Sequence, residues 1–221
     1  MEAILEKIFS CVENGKINAA SPYPPALRGQ DGAQEYTKVA LDGGVEPQTV
    51  MNEALIPAMS KVGQKFSEGK IFVPQMLLSA KAMNAALEHI KPYFQSGAVK
   101  RKGTFIICTV FGDLHDIGKN LVSMMVEGAG WEVVDLGVDC KPEKVVAALD
   151  EHPGAHVGLS ALLTTTMNNM KTVIDEVRKT HPDTKFIVGG APVSKEFAEQ
   201  IGADGYGNDP QEDVALLERF R

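Results

Sequence analysis

One stretch of the chain gathers side chains able to do chemistry: Gly112-Asp113-Leu114-His115-Asp116-Ile117-Gly118-Lys119-Asn120. An imidazole such as His115 can ligate a metal or move a proton near neutral pH. A carboxylate two residues away, Asp113, is placed to hold the second ring nitrogen, fix the tautomer and tune the basicity. The stretch follows an apolar run, residues 104–110, that reads as a buried strand. It precedes residues 121–126, which read as the buried face of a helix. A strand-to-helix loop in an α/β domain lies at the carboxyl edge of the sheet, where such domains hold ligands.

Three further loops converge on that edge if the sheet is drawn from the pattern. They are the segment from Ser160 to Thr166, the Gly189-Gly190-Ala191-Pro192 turn and the Gly205-Tyr206-Gly207 turn. Their glycines and small hydroxyl residues leave a slot with donors along its walls. A dinucleotide requires Gly-x-Gly-x-x-Gly after the first strand, and Gly112 and Gly118 have the wrong spacing. A flavin phosphate would meet His115 and two aspartates, and a phosphoryl-receiving domain needs an aspartate where Ser160 stands. A metal held by one protein imidazole fits. No second histidine, cysteine or acidic cluster completes a protein-only site, because His89, His152, His156 and His181 sit on other elements and read as structural. The remaining ligands must come from a macrocycle.

The elements that position the loop fall into two halves. Residues 1–95 show helical periodicity throughout, apart from a Pro/Gly-rich loop around residues 19–32. Pro57 is expected to kink or split the third helix, and Met51, Met59, Met76 and Met83 read as core. That half is a four- or five-helix bundle. Residues 96–103, containing Lys100-Arg101-Lys102, read as a solvated interdomain linker. From 104 to 221 strands and helices alternate. Strands are expected at 104–110, 132–136, 156–160, 185–188 and near 205–206, and helices at 117–128, 142–150, 166–181, 194–201 and 210–220. The fold class is therefore α/β, a helical cap before a flavodoxin-like (Rossmann-like), doubly wound, parallel five-stranded sheet. The 221 residues accommodate these two domains. A net charge of −7 argues against nucleic acid or an anionic membrane as partner. The N-terminus lacks the pattern of a signal peptide and no apolar run reaches membrane-spanning length. Cys11, Cys108 and Cys140 are widely spaced, so a reducing, cytoplasmic location is expected.

These residues carry a resemblance. Asp113-x-His115-x-x-Gly118, the Ser160-x-Leu162 turn and Gly189-Gly190 together resemble the cobalamin-binding domain of methionine synthase, corrinoid methyl-carrier proteins and certain mutases. The resemblance implies a cofactor bound base-off and His-on. His115 would be the lower axial ligand of cobalt, with Asp113 its hydrogen-bonded partner. Thr166 stands where the family completes the proton relay with a serine, so the hydroxyl is kept and a methyl gained. Ser160, Leu162 and Thr164 would line the pocket for the nucleotide tail, Gly118, Gly189 and Gly190 would let backbone approach it, and Asp116, Ile117 and Tyr206 would also touch the cofactor. In the first half, Val62-Gly63-x-x-Phe66-x-x-Gly69-Lys70-x-Phe72-Val73-Pro74-Gln75-Met76 resembles the cap that covers the upper cobalt face. Phe66, Val73 and Met76 fall at the capping positions, with Val73 where methionine synthase has leucine.

The function so implied is methyl carriage, alternating between cob(I)alamin and methylcobalamin or a related corrinoid. The chain would be a non-catalytic carrier subunit, since no substrate-binding module fits beside the two domains. Its partners would be a substrate-specific methyltransferase, a second methyltransferase acting on tetrahydrofolate or a thiol such as coenzyme M, and a reductive activase. The rival is a cobalamin-dependent regulatory or sensor module, which would add a DNA-binding domain and a different charge.

Overall fold

The computed structural model describes residues 2–221. Met1, the first residue of the expected 1–95 segment, lies outside them. The chain forms two compact units, one of residues up to Arg101 with Gly128–Gly130, the other of Lys102–Glu127 with Trp131–Arg221.

The first unit is helical: α1 (Glu2–Glu13), α2 (Ala33–Asp42), α3 (Pro47–Val50), α4 (Ile56–Ser67) and α5 (Val73–Gln95). The apolar stripes seen in the sequence meet in its core, where Ile8, Leu55, Met59, Met76, Met83 and Ile90 are among the largest fully buried side chains. The 19–32 segment is a loop except for one 3-10 turn, Pro25–Leu27. The helix expected to kink or split at Pro57 is divided just before it, and Pro57 falls in the first turn of α4. A π-helical turn, Met51–Leu55, joins α3 to α4, and the Ile56 N–H reaches back to the Met51 carbonyl. The register changes where Pro57 has no N–H to contribute, so no helical donor is missed. Helix α5 starts sharply because Phe72 is extended and its N–H donates to Gln75 Oε1 at 3.1 Å, with Pro74 in the first turn.

The stretch expected as a solvated linker is tied down for most of its length. Val99 is buried, the Lys100 N–H donates to Gln48 Oε1 at 3.0 Å, and the Arg101 guanidinium lies 4.3 Å from the Phe94 ring centroid. Lys102 pairs with Glu218 at 2.6 Å. Two of the three basic side chains, Arg101 and Lys102, are thus engaged by protein partners.

The second unit holds β1 (Thr104–Thr109), β2 (Glu132–Asp135), β3 (His156–Ser160), β4 (Phe186–Gly189) and β5 (Gly205–Gly207), all parallel in the order β2-β1-β3-β4-β5. Crossover helices are α6 (Ile117–Gly128), α7 (Pro142–Glu151), α8 (Asn169–Arg178) and α9 (Lys195–Ile201), with α10 (Pro210–Phe220) closing the chain. The fold class expected from the pattern is the one observed. Along β1, Ile106 and Cys108 join the apolar cluster with α7, α8 and α9, while Phe105 and Ile107 point to the other face. A strand buried on both faces has no polar alternation, which is why β1 reads as a continuous apolar run. The chain leaves β1 toward β2 on one side and returns to β3 on the other. That reversal opens a crevice at the carboxyl ends of β1 and β3, where an open α/β sheet accepts its ligand.

Helix α8 starts later than the expected residue 166. Residues before Asn169 form turns, because the backbone of Leu162 and Leu163 and the Thr166 hydroxyl are drawn onto Asp113.

Candidate functional site

The loop after β1 is held by four bonds from three residues, Thr109, Asp139 and Asn169. The Gly112 N–H donates to Asp139 Oδ1 at 2.7 Å, and Asn169 Nδ2 donates to the Phe111 carbonyl at 2.7 Å. The Thr109 hydroxyl donates to the His115 carbonyl at 2.8 Å, and the Asp139 N–H donates to the Asp113 carbonyl at 3.0 Å. Asp139 and Asn169 escaped sequence reasoning because each is remote from the loop and of a type common in turns.

At the centre is Asp113, with no surface open to water. Its Oδ1 accepts the His115 N–H at 3.1 Å and lies 2.7 Å from His115 Nδ1. Its Oδ2 accepts the Leu162 N–H at 2.8 Å, the Leu163 N–H at 3.3 Å and the Thr166 hydroxyl at 2.6 Å. Burial pushes the carboxyl up, but the bonds from Thr166, Leu162 and His115 outweigh it and hold Asp113 well below the usual carboxylate range. An ionised Asp113 accepts only, so the neutral imidazole carries its proton on Nδ1 and turns the Nε2 lone pair outward. The His115 side chain is half exposed. The methyl that distinguishes Thr166 from serine does not disturb the bond to Asp113.

Around His115 the surface is apolar where loops are normally polar. Leu114 is 72% exposed and Ile117 74%, and Leu162 and Leu163 are also exposed. Apolar side chains grouped on a loop surface mark a binding face. Leu114 and Leu163 were not singled out in the sequence; their signal was an apolar residue inside an otherwise polar loop motif. Asp116 is exposed and accepts from Asn120 Nδ2 at 3.1 Å.

A cavity of about 260 Å³ lies on the face of the sheet that carries Phe105 and Ile107, under α6 and beside α10. Gly118, Ser160, Gly189, Gly190 and Tyr206, five of the expected cofactor residues, line it. Small residues on β3 and β4 leave the space. At Gly190 the backbone requires glycine twice over, with φ +125° and a Cβ that would fall 1.9 Å from the Ala161 carbonyl oxygen. A Cβ at Gly118 would meet no protein atom. Leu162 and Thr164, expected in the tail pocket, are instead exposed and do not line the cavity. Lys119, unremarked in the sequence, is buried and pairs with Asp135 at 2.5 Å.

In the helical unit Phe66 and Val73 are half-buried. Met76 is 1% exposed, a core side chain of that unit, whereas the neighbouring Phe72 is 66% exposed.

Among the described residues no three His, Cys, Asp or Glu side chains cluster as a metal cage. The donor set is one braced imidazole beside an apolar surface and a glycine-walled cavity. It fits a metal that brings its own equatorial ligands and a long appended tail, and the class so defined is the B12-binding α/β module. A family model described as a B12 binding domain matches residues 103–215, and a second of the same description matches residues 29–91. Monomethylamine corrinoid protein 2 of Methanosarcina acetivorans is 41% identical over 78% of this chain and 82% of its own length. In the crystal structure of the methanol:cobalamin methyltransferase complex MtaBC from Methanosarcina barkeri, one chain matches with a TM-score of 0.83 and 30% identity, over 99% of this chain and 79% of that one. A cobalamin-binding protein from Desulfitobacterium hafniense DCB-2 matches with a TM-score of 0.75 and 27% identity over 98% of both chains. The chain belongs to the corrinoid-protein family of methyltransferase systems, and its cofactor is a corrinoid.

Proposed function

We propose that this protein carries a methyl group on corrinoid cobalt between two methyltransferases, with the cofactor bound base-off and His115 as the lower axial ligand. The observation that carries this reading is the Thr166–Asp113–His115 chain of hydrogen bonds, which leaves Nε2 as the outward donor. The corrinoid supplies the chemistry, accepting and releasing a methyl group at cobalt. His115 Nε2 would hold the metal, and Asp113 at Nδ1 would keep the ring in one orientation toward it. Asp113 would hold the imidazole through Nδ1, with the Thr166 hydroxyl fixing the carboxylate. Leu114, Ile117, Leu162 and Leu163 would support the corrin ring, and the cavity walled by Gly118, Ser160, Gly189 and Gly190 would take the nucleotide tail.

The helical unit acts as the cap. Phe66 and Val73 remain candidates for covering side chains, and Phe72 replaces Met76, which its own unit buries. A substrate-specific methyltransferase loads the methyl group, a second removes it to tetrahydrofolate or a thiol such as coenzyme M, and a reductive activase restores oxidised cobalt. The relatives' names include monomethylamine and methanol systems; the carrier residues serve any such donor, so the donor is chosen by the first partner. Reconstitution with cobalamin tests the reading. Wild type should show a base-off spectrum with a nitrogen axial ligand, and His115→Ala should lose that ligand and at least a hundredfold in methyl-transfer rate, the upper range for loss of a ligand's support. An unchanged spectrum in His115→Ala overturns the axial assignment.

A further inference from the structure

A second carboxyl faces the tail cavity and has no place in the account above. Strand β5 leads into α10, whose N-cap Asp209 accepts the N–H groups of Gln211 and Glu212 at 2.8 and 2.9 Å. Asp213, one turn further on, faces inward, is 5% exposed and lines the cavity. Among the described residues no N–H or O–H donor reaches its carboxyl. Its position depends on residue 207 being glycine, since a Cβ there would fall 1.9 Å from Asp213 Oδ1. The nearby cavity walls, Phe105, Leu121 and Ile187, are apolar. The other charged or titratable groups on the cavity are Asp209 from the same helix, Lys119 from α6 and Tyr206 from β5. Lys119 is committed to Asp135 and Asn120, and the Tyr206 hydroxyl to Asn208. Burial, then Asp209 and Glu212, push Asp213 up to about 8. At neutral pH it is therefore mostly a carboxylic acid, with an O–H donor and a carbonyl acceptor side by side. A buried polar group without a partner is costly, and a ligand that supplies one gains the difference.

We propose that Asp213 determines which tail base this corrinoid protein accepts, pairing through two hydrogen bonds with a base that offers an acceptor beside a donor, as an aminopurine does. The inference rests on the tail occupying the cavity. The acid O–H donates to a ring nitrogen and the exocyclic amine donates to the acid carbonyl. A dimethylated benzimidazole presents methyl groups on its edge and leaves half of this demand unmet.

The test is equilibrium binding of two probes to the full-length apoprotein: the cobamide with adenine as tail base, and cobalamin, with dimethylbenzimidazole. Wild type should favour the adenine form by roughly five- to tenfold, the worth of the one net hydrogen bond that dimethylbenzimidazole cannot make. Asp213→Leu should abolish the preference while the bound cofactor keeps its His115-ligated spectrum. Asp213→Asn, which retains a donor and an acceptor, should keep the preference. Raising the pH through about 8 should erode the preference in wild type and leave Asp213→Asn flat. Equal affinities for the two cobamides in wild type, or a preference that survives Asp213→Leu, overturns the assignment and leaves the carrier reading intact. Failure of both cobamides to bind with His115 on cobalt overturns the assignment together with that reading.

Discussion

Two aspartates sit at the ligand edge of the same sheet, Asp113 fully buried and Asp213 5% exposed where it lines the cavity, and the chain treats them in opposite ways. Asp113, in the loop between β1 and α6, receives hydrogen bonds from His115, Leu162, Leu163 and Thr166. Asp213, on the first turns of α10, receives none among the described residues. The first is held ionised and acts as a fixed strut between two loops and a histidine. The second is driven toward its neutral form by burial and two neighbouring carboxylates. Burial alone therefore does not decide the state of a carboxyl; the donors aimed at it do. A satisfied buried charge is architecture, whereas an unsatisfied buried acid is demand left for a ligand.

The largest expected effect comes from removing the strut. Asp113→Leu strands several buried donors and should destabilise the α/β unit by about 3–5 kcal/mol in urea unfolding, as when one partner of a buried charged network is lost. A loss under about 1 kcal/mol would erase the contrast with Asp213. The opposite sign is expected at the other site. The Asp213 carboxyl keeps its proton to about 8 when folded, while the unfolded carboxyl loses it near 4. Folding therefore takes up a proton between those values, and stability falls as pH rises through that window, levelling above 8. Asp213→Asn removes this dependence and should raise stability at pH 6, about two units above the unfolded value, by on the order of 3 kcal/mol, measured by denaturant midpoints across pH. For Asp113 the sign reverses: its stabilisation is full above the unfolded carboxyl value near 4 and is lost as pH falls toward the depressed folded value. Thr166→Val should cost about 1.5–3 kcal/mol, the worth of a hydrogen bond to a charged group. The smallest effect is expected of Thr166→Ser, within about 0.5 kcal/mol, since it keeps the hydroxyl and gives up only a methyl beside Gly112. A Thr166→Ser loss as large as that of Thr166→Val would show that the methyl, not the hydroxyl, matters there.

The contrast also explains what could be read from the sequence. The Asp113–His115 pair was legible because its parts lie within a few consecutive residues after an unmistakable buried strand. Thr166 was legible only through family resemblance, since nothing local says that a threonine fifty residues on turns toward Asp113. Asp213 was invisible: Gln211-Glu212-Asp213 looks like the acidic first turn of a surface helix, where the dipole favours negative charge. Its burial depends on Gly207, which lies directly against its carboxyl, and on how α10 meets β5. Met76 and Phe72 show the same limit in the helical unit, for an apolar stripe does not reveal which of its end members stays exposed. Arg101 was read as solvated because its partner, the Phe94 ring, is an aromatic on the preceding helix rather than a carboxylate.

The central claim is that Nε2 of His115, braced by Asp113, is the protein's own ligand to cobalt. The direct measurement is electron paramagnetic resonance of the protein reconstituted with Co(II) cobalamin, prepared with ordinary histidine and with histidine labelled by nitrogen-15. The account predicts axial nitrogen splitting that passes from triplets to doublets on labelling and disappears in His115→Ala. Splitting indifferent to the label, with the nitrogen supplied by the cofactor's own base, would contradict it.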